Sequence, residues 1–454
     1  MMAAIELQQV AEQLPGSELR GNCSFKSVST DTRSINAGDL FVAIKGDKFD
    51  AHNFLEQAVK QQAAGLLVER ARDDLSVPQL VVADSVQALG SVARLNRDHF
   101  LGPVVGITGS GGKTTVKNMV SNILALSGSV CATQGNFNNA IGVPLTLFQI
   151  NPEHQYAVIE MGASGPGEIA YLSQIVKPHV AVVTNALHAH VAGFGSVEGV
   201  AKAKGEIFTN LSDTGTAVLN VDDPQVDVWL EMVGARKKLT FSLAGKHADF
   251  VARDIDVRGN GCCQFLLIAP MGEASINLAL LGKQNVGNAL AAAACAYAIG
   301  IGLEQIKQGL ENTLAFKGRM QVHAGIANST VIDDSYNANP DAVKAAIDYL
   351  ADQTGKTILV LGDLGELGAD EVQYHKGLGY YAKSAGIHQL FTKGNLTQHT
   401  SEAFGEGAQH FQTYEQMNDH LLSIVDADTK VLVKGSRSAH MEHVVSALIK
   451  SEET

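Results

Sequence analysis

Pro103-Val104-Val105-Gly106-Ile107-Thr108-Gly109-Ser110-Gly111-Gly112-Lys113-Thr114-Thr115 is the stretch that decides how this chain folds. Its first six residues form a short apolar, β-branched run, as expected of a buried strand. Val116, Met119, Val120, Ile123 and Leu124 then recur at helical spacing. The glycine-rich segment therefore joins a strand to a helix. Glycines let the backbone turn its amides towards one point, and the helix N-terminus adds partial positive charge there. Such a loop binds phosphate. Lys113 can reach the β- and γ-phosphates of a nucleotide, and the Thr114 hydroxyl can hold Mg²⁺. The usual pattern has a small residue five positions before Gly112, where this chain has Ile107. Gly109, Ser110, Gly111, Gly112, Lys113, Thr114 and Thr115 are thus expected to bind ATP as a variant P-loop.

Outward from the loop the strand–helix rhythm repeats. YAVIE (156–160), VAVVT (180–184) and TAVLN (216–220) read as buried strands. Their alternation with helices predicts a parallel sheet covered on both faces. Residues 248–281 break the rhythm. DFVARDIDV, CQFLLIA and SINLALL read as antiparallel strands, with Asn260-Gly261 as a hairpin turn, and an Ala-rich helix follows over 288–298. A third α/β segment begins near 315, with strands at TVIDD (330–334), TILVLGD (357–363), HQLFT (388–392) and KVLVKG (430–435). Before the loop, DLFVAI (39–44), GLLVE (65–69) and QLVV (79–82) suggest a smaller mixed unit. The fold class is α/β in three domains, 1–83, 84–314 and 315–454, with hinges near 84 and 315.

Composition narrows the function. The chain has 454 residues, 45% hydrophobic and 18% charged, which suits two to four globular domains. Its net charge is −13 and no Lys/Arg-rich run occurs, so no nucleic-acid partner is expected. An anionic substrate must then be held by loop amides, a few basic residues and metal ions. The five cysteines are odd in number and form no C-x-x-C pair, which argues against a disulfide framework or a zinc site. The first residues carry no basic stretch followed by an apolar run, and no apolar run is long enough to span a membrane. A cytoplasmic protein without a membrane span is expected.

GITGSGGKTT resembles the phosphate loop of the Mur ligases, a family that includes the UDP-N-acetylmuramoyl-peptide ligases and the folylpolyglutamate synthases. The resemblance runs in order through almost the whole chain. Gly135-Asn136-Phe137-Asn138-Asn139-Ala140-Ile141-Gly142-Val143-Pro144 is similar to the family's GNxNNxIGxP segment, and Glu160-Met161-Gly162-Ala163 to its E-x-G-A segment. Thr184-Asn185, Ala189-His190-Val191 and Phe194-Gly195-Ser196 resemble TN…AHL…FGS. Lys204 matches a lysine that is carbamylated in several members. Asn285 and Asn288 match a stretch in which Gln284 replaces the usual His. Gly318-Arg319 and Asp333-Asp334-Ser335-Tyr336-Asn337-Ala338-Asn339-Pro340 complete the family's nucleotide site.

The resemblance implies a small α/β N-terminal domain that holds a UDP-sugar, a central ATPase domain, and a C-terminal Rossmann-like domain with dipeptide and nucleotide contacts. Thr30, Asp31, Arg33, Lys45 and His52 fall in the segments similar to the UDP-sugar site. Asp333 to Pro340, Gly362 to Gly368 with His375, and Lys434 to Arg437 resemble the member that adds D-alanyl-D-alanine to UDP-N-acetylmuramoyl-tripeptide. Asn138, Asn139, Asn337, Asn339, Lys434 and Arg437 are its implied substrate contacts. Asn288, Arg319 and Asp334 are implied contacts to ATP, at adenine, phosphate and ribose. Lys113, Glu160, His190 and Lys204 are the implied catalytic set. Thr114 and Glu160 would hold one Mg²⁺, and a carbamylated Lys204 with His190 a second. A monomer is expected.

Joining a carboxylate to an amine requires this kind of machinery, because a carboxylate is a poor electrophile. Phosphoryl transfer from ATP makes it an acyl phosphate, which the amine then attacks. The first step brings two anions together, and Lys113 and Mg²⁺ offset that repulsion. Each residue also has a plainer reading. Glu160 could be a strand-end carboxylate, Lys204 a helix-surface lysine like Lys202, and Asn337 and Asn339 turn residues. His188 is a rival to His190. Three other functions compete: a Mur ligase adding a different amino acid such as diaminopimelate, lysine or glutamate, a P-loop kinase or GTPase, and a nucleotide sensor without activity. The C-terminal motifs oppose the first, the lack of an NKxD string opposes a GTPase, and retention of Lys113, Glu160 and Lys204 opposes the third.

Overall fold

The computed structural model describes residues 2–46, 48–188, 191–259 and 261–450. His190 and Asn260 therefore lie outside the described residues. Among those described, the strands form three large sheets and one two-stranded pair.

The central sheet has nine strands in the spatial order Gly272–Leu281, Cys262–Ala269, Phe250–Val257, Lys237–Ser242, Thr216–Asn220, Val180–Val183, Val104–Thr108, Tyr156–Glu160 and Val130–Ala132. From Phe250–Val257 to Val130–Ala132 the neighbours run parallel. Val104–Thr108 is buried along its whole length, as a strand covered on both faces must be. The segment over 250–281 is antiparallel, as expected, but it extends the same sheet, because Phe241 and Ser242 pair with Phe250 and Val251. The Ala-rich helix runs over Gln284–Ala298, four residues longer at its start than its composition suggested. Its small side chains let it lie close to the sheet beside Val116, Met119 and Ile123 of the P-loop helix.

The C-terminal sheet has six strands in the order Gln321–Ala324, Thr330–Asp334, Thr429–Lys434, Lys356–Gly362, Gln389–Lys393 and Ala408–Phe411. Only the first pair is antiparallel. The N-terminal sheet has five short strands in the order Glu18–Arg20, Gln79–Val81, Gly65–Val68, Leu40–Val42 and Val28–Ser29. The helix Ser85–Asp98 begins where Asp84 accepts from the amides of Val86 and Gln87 at 2.8 and 3.0 Å, a side-chain cap. It joins two cores: Ala88, Leu89 and Val92 enter the N-terminal core and Ala93 the central one. No helix among the described residues is long and apolar enough to cross a membrane.

Parallel strands place their carboxyl ends on one edge, where loops are free to bind. Glu160 ends one central strand and the P-loop follows another, while Asp334 and Lys434 end neighbouring C-terminal strands. The two sheets thus turn their functional edges towards a common cleft.

Candidate active site

Gly109 and Gly112 have φ of 144° and 80°, which a side chain would strain, and a Cβ at either would run into Thr184 or Asn288. Asn185 braces the loop: its Oδ1 accepts from the Gly111 amide at 2.8 Å and its carbonyl accepts from the Ser110 amide at 3.0 Å. Thr184 Oγ1 donates to the Gly111 carbonyl at 2.6 Å. The helix Lys113–Ala125 starts at Gly112 with no side-chain cap, leaving its first amides for a ligand.

Lys113 Nζ donates to the Gly109 carbonyl at 2.6 Å, folded back over the loop. Burial pushes its ammonium below the ordinary lysine range, and nearby Glu160 pulls it back up. Glu160 is buried and held at both oxygens. Thr114 Oγ1 donates to Oε2 at 3.0 Å and Asn138 Nδ2 to Oε1 at 2.9 Å. Its amide donates to Thr133 Oγ1 at 2.9 Å. Lys117, one helical turn past Lys113, is also buried and donates to the Thr133 carbonyl at 2.7 Å. Sequence reasoning passed over Lys117, since only tertiary packing shows that this helical lysine is enclosed. The bracing role of Asn185 is likewise invisible in its motif, because it depends on a contact with Gly111 across the sheet.

Lys204 sits in the last turn of the helix Val197–Gly205. Ser196 caps that helix by accepting from the Gly199 amide at 3.0 Å, and fully buried Trp229 donates to the Ala201 carbonyl at 2.9 Å. This packing carries Lys204 inside, at 2% exposure, whereas Lys202 lies outside and pairs with Glu198 at 2.7 Å. Lys204 Nζ donates to the Ala163 carbonyl at 3.1 Å and lies 5.1 Å from the Phe194 ring centroid. Burial, with Lys113 adding repulsion, pushes its pKa down to about 7. A substantial share of this amine is uncharged near neutrality.

From the C-terminal domain, Arg319 Nη2 donates to Thr114 Oγ1 at 3.1 Å. Asp334 and Lys434 are register neighbours on adjacent strands and form an ion pair at 2.6 Å. Burial nevertheless raises the Asp334 carboxyl, against the pull of Lys434. Lys434 also donates to the Asn337 carbonyl at 3.0 Å. Asn339 accepts from the Ala342 amide at 2.8 Å and caps the helix Pro340–Ala351. Asn288 Nδ2 donates to Asn285 Oδ1 at 2.8 Å.

One cleft, with about 990 Å³ of open space, collects Ser110 to Thr115, Asn288, Arg319, Asp334, Asn337, Asn339 and Lys434. Outside the lining of this cleft, the His188 amide and its Nδ1 each meet Asp341 Oδ2 at 3.1 Å, tying the central domain to the C-terminal one. The remaining residues lie elsewhere. Asn139 Oδ1 accepts from the Ile141 and Gly142 amides at 3.2 and 2.8 Å in the turn that leads into Gly142–Leu147, and Ile141 packs on the N-terminal core. Arg437 is exposed and pairs with Glu442 at 3.1 Å. His375 is buried, receives the Leu364 amide at 3.2 Å and donates to the Glu371 carbonyl at 2.7 Å, so it shapes the Gly362–Gly368 loop.

In the N-terminal domain, Asp31 and Arg33 pair with each other at 2.6 Å, and this holds the Asp31 carboxyl down at about 2. Thr30 stands beside them, half-buried. His52 Nε2 accepts from the Glu69 amide at 2.9 Å, so its Nδ1 carries the proton that meets Asp50 Oδ1 at 2.6 Å. Lys45 is exposed and its backbone bridges to Asp50.

A phosphate loop facing a second α/β domain across a cleft, with a buried lysine of depressed pKa nearby, defines an ATP-using enzyme. The sequence matches the Mur ligase middle domain over residues 107–296 and the Mur ligase glutamate ligase domain over 318–437. This chain belongs to the Mur ligase family. It is 43% identical over 450 residues to the UDP-N-acetylmuramoyl-tripeptide–D-alanyl-D-alanine ligase of Escherichia coli, covering 98% of this chain and 99% of that protein. The Bacillus subtilis ligase of the same name is 35% identical, covering 93% of each. A MurF crystal structure from Acinetobacter baumannii superposes with a TM-score of 0.91 at 35% identity, covering 98% of each chain. MurF from Thermotoga maritima, in complex with ADP, superposes with 0.84 at 27% identity, covering 93% of this chain and 96% of that one.

Proposed function

We propose that this chain is the family member that joins D-alanyl-D-alanine to UDP-N-acetylmuramoyl-tripeptide in peptidoglycan precursor synthesis. It is an ATP-dependent, ADP-forming ligase. What carries the reading is similarity over almost the entire length to ligases of that activity, at up to 43% identity.

The chemistry follows from the cleft. A tripeptide carboxylate oxygen attacks the γ-phosphorus, forming a C–O–P anhydride as the bond to ADP breaks. The dipeptide amine then attacks the acyl carbon, a C–N bond forms, the C–O bond breaks and phosphate leaves with the amine's surplus proton lost to solvent. The P-loop amides and Lys113 offset the anionic charge of the first step, and Arg319 adds a second cation beside Thr114. Asn288, Arg319 and Asp334 are the proposed contacts to adenine, phosphate and ribose.

Thr114 Oγ1 and Glu160 Oε2 lie 3.0 Å apart beside the loop and present only oxygen donors. Mg²⁺ prefers oxygen and keeps several waters, so this pair fits one ion, which would supply positive charge to offset the negative charge of the nucleotide phosphates. Lys204 fits a different task. Its partly uncharged amine can attack CO₂ and lose a proton to give a carbamate, and burial beside the Ala163 carbonyl shelters the product. A carbamylated Lys204 and His190 are the proposed ligands of a second ion.

The domain division 1–83, 84–314 and 315–454 is part of the proposal. Thr30, Asp31, Arg33, Lys45 and His52 are assigned to the UDP-sugar, Asn138 and Asn139 to the muramyl-peptide path, and Asn337, Asn339, Lys434 and Arg437 to the dipeptide side. We place the enzyme in the cytoplasm as a monomer. Phosphate release with ATP and Mg²⁺, measured with and without each substrate, tests the reading. Release that needs both tripeptide and dipeptide, with a UDP-pentapeptide product by mass, is the expected result. Release with single amino acids alone would overturn it.

A further inference from the structure

Tyr336 has no part in the chemistry described so far, yet two guanidiniums converge on it. The Arg319 guanidinium carbon is 4.5 Å from its ring centroid and that of Arg437 is 5.8 Å away. The Tyr336 amide donates to the Gly318 carbonyl at 3.1 Å, pinning the tyrosine to the residue before Arg319. Gly318 has a φ of 74°, and a Cβ there would press on the Tyr336 Cβ at 3.0 Å, so its bare backbone makes room for the backbone and Cβ of this tyrosine.

We propose that Tyr336 is a positioning residue whose ring aims Arg319 at the phosphate end of the P-loop and links it to the segment that carries Arg437. The inference rests on the ligase reading above. Arg319 reaches across the cleft from the C-terminal domain to Thr114, and among the described residues no carboxylate pairs with it. A long, flexible side chain held by one hydroxyl and by the diffuse attraction of Asp334 samples many rotamers. An aromatic face restricts a guanidinium while leaving its N–H groups free for phosphate. The same ring meets Arg437, which is otherwise tethered to Glu442, so Tyr336 stands between the ATP side of the cleft and the Lys434–Arg437 segment.

The experiment compares Tyr336→Phe, which keeps the ring, with Tyr336→Leu, which removes it, in the full-length enzyme with ATP, Mg²⁺ and both substrates. Tyr336→Phe stays within about twofold of the parent in kcat. Tyr336→Leu loses about tenfold or more in kcat, while its Kd for ADP changes by less than about twofold, since the oriented cation matters at phosphoryl transfer. Placed on Arg319→Lys, Tyr336→Leu then adds less than about twofold, because its route of action is already broken. If Tyr336→Leu melts below assay temperature, Tyr336→Met replaces it. A Tyr336→Leu enzyme with parental kcat, or a full additional loss on Arg319→Lys, would overturn the inference. A parent enzyme without dipeptide-dependent phosphate release would instead overturn the ligase reading, so the two failures are distinguishable.

Discussion

The nucleotide cleft and the N-terminal domain use charge in opposite ways. In and behind the cleft, most ionisable groups lean on neutral partners: Lys113 on the Gly109 carbonyl, Lys117 on the Thr133 carbonyl, Lys204 on the Ala163 carbonyl and Glu160 on Thr114 and Asn138. Asp334 with Lys434 is the exception. In the N-terminal domain, by contrast, Arg33 pairs with Asp31, Arg72 with Asp74 and Glu56, and Arg20 with Glu18 and Asp73. A charge oriented by neutral groups keeps its field for a ligand, and in a half-buried cleft that field is strong. A charge already paired at the surface must exchange one partner for another, with little net gain.

The largest effect that contrast predicts is at Lys113. Lys113→Ala should lower kcat by about a thousandfold, as loss of a preorganised charge at the reacting phosphate does. Steady-state phosphate release with saturating ATP measures it. A loss below about tenfold would mean that cleft charges are no more valuable than surface ones.

Lys204 comes next, and its sign can be worked out. Its folded pKa of about 7 lies below the ordinary 10.5, so between those values the folded state binds fewer protons than the unfolded one and stability rises with pH. The cost of burying this amine is therefore full below about pH 7 and fades towards 10.5. Lys204→Met should stabilise the protein most below pH 7 and progressively less above it, while abolishing a ¹³C-carbamate NMR signal from labelled bicarbonate. A pH-independent melting difference, or an unchanged NMR signal, would contradict this placement of Lys204.

His188 marks a boundary between the two regimes, since its bond to Asp341 is half-exposed but spans two domains. His188→Ala is expected to raise KM for the substrates by about three- to tenfold through loss of one interdomain contact, with kcat less affected. Asp341→Ala should match it and the double variant should add little. The smallest effect belongs to Arg33. Arg33→Ala is expected to change KM for the UDP-substrate by no more than about threefold, since its pair with Asp31 is exposed. A hundredfold change would make that ion pair a bound-state device and break the contrast.

Much of the cleft could be read in advance because its motifs bind through backbone and through strand ends. TAVLN, YAVIE and TVIDD coincide with Thr216–Asn220, Tyr156–Glu160 and Thr330–Asp334, since strands buried through their middle announce themselves as short apolar, β-branched runs. The strand Gln321–Ala324 was not anticipated: it is a half-exposed edge, and its alternation is too short to stand out. Membership of the 250–281 hairpins in the central sheet was equally hidden, because it depends on two residue pairs between Lys237–Ser242 and Phe250–Val257. In the site, Lys117 and the His188–Asp341 contact escaped notice because burial and interdomain proximity are tertiary facts. Asn139, Asn339 and His375 show the converse, since each is engaged in a cap or a loop contact that sequence alone cannot separate from a ligand contact.

The central claim is that the cleft turns a carboxylate into an acyl phosphate for a dipeptide amine. It is tested most directly with UDP-N-acetylmuramoyl-tripeptide carrying ¹⁸O in the reacting carboxylate, incubated with ATP, Mg²⁺ and D-alanyl-D-alanine. The account predicts one ¹⁸O in the released phosphate and one in the new amide of the product. Phosphate free of ¹⁸O would show that water, and not the carboxylate, attacks ATP, and would contradict it.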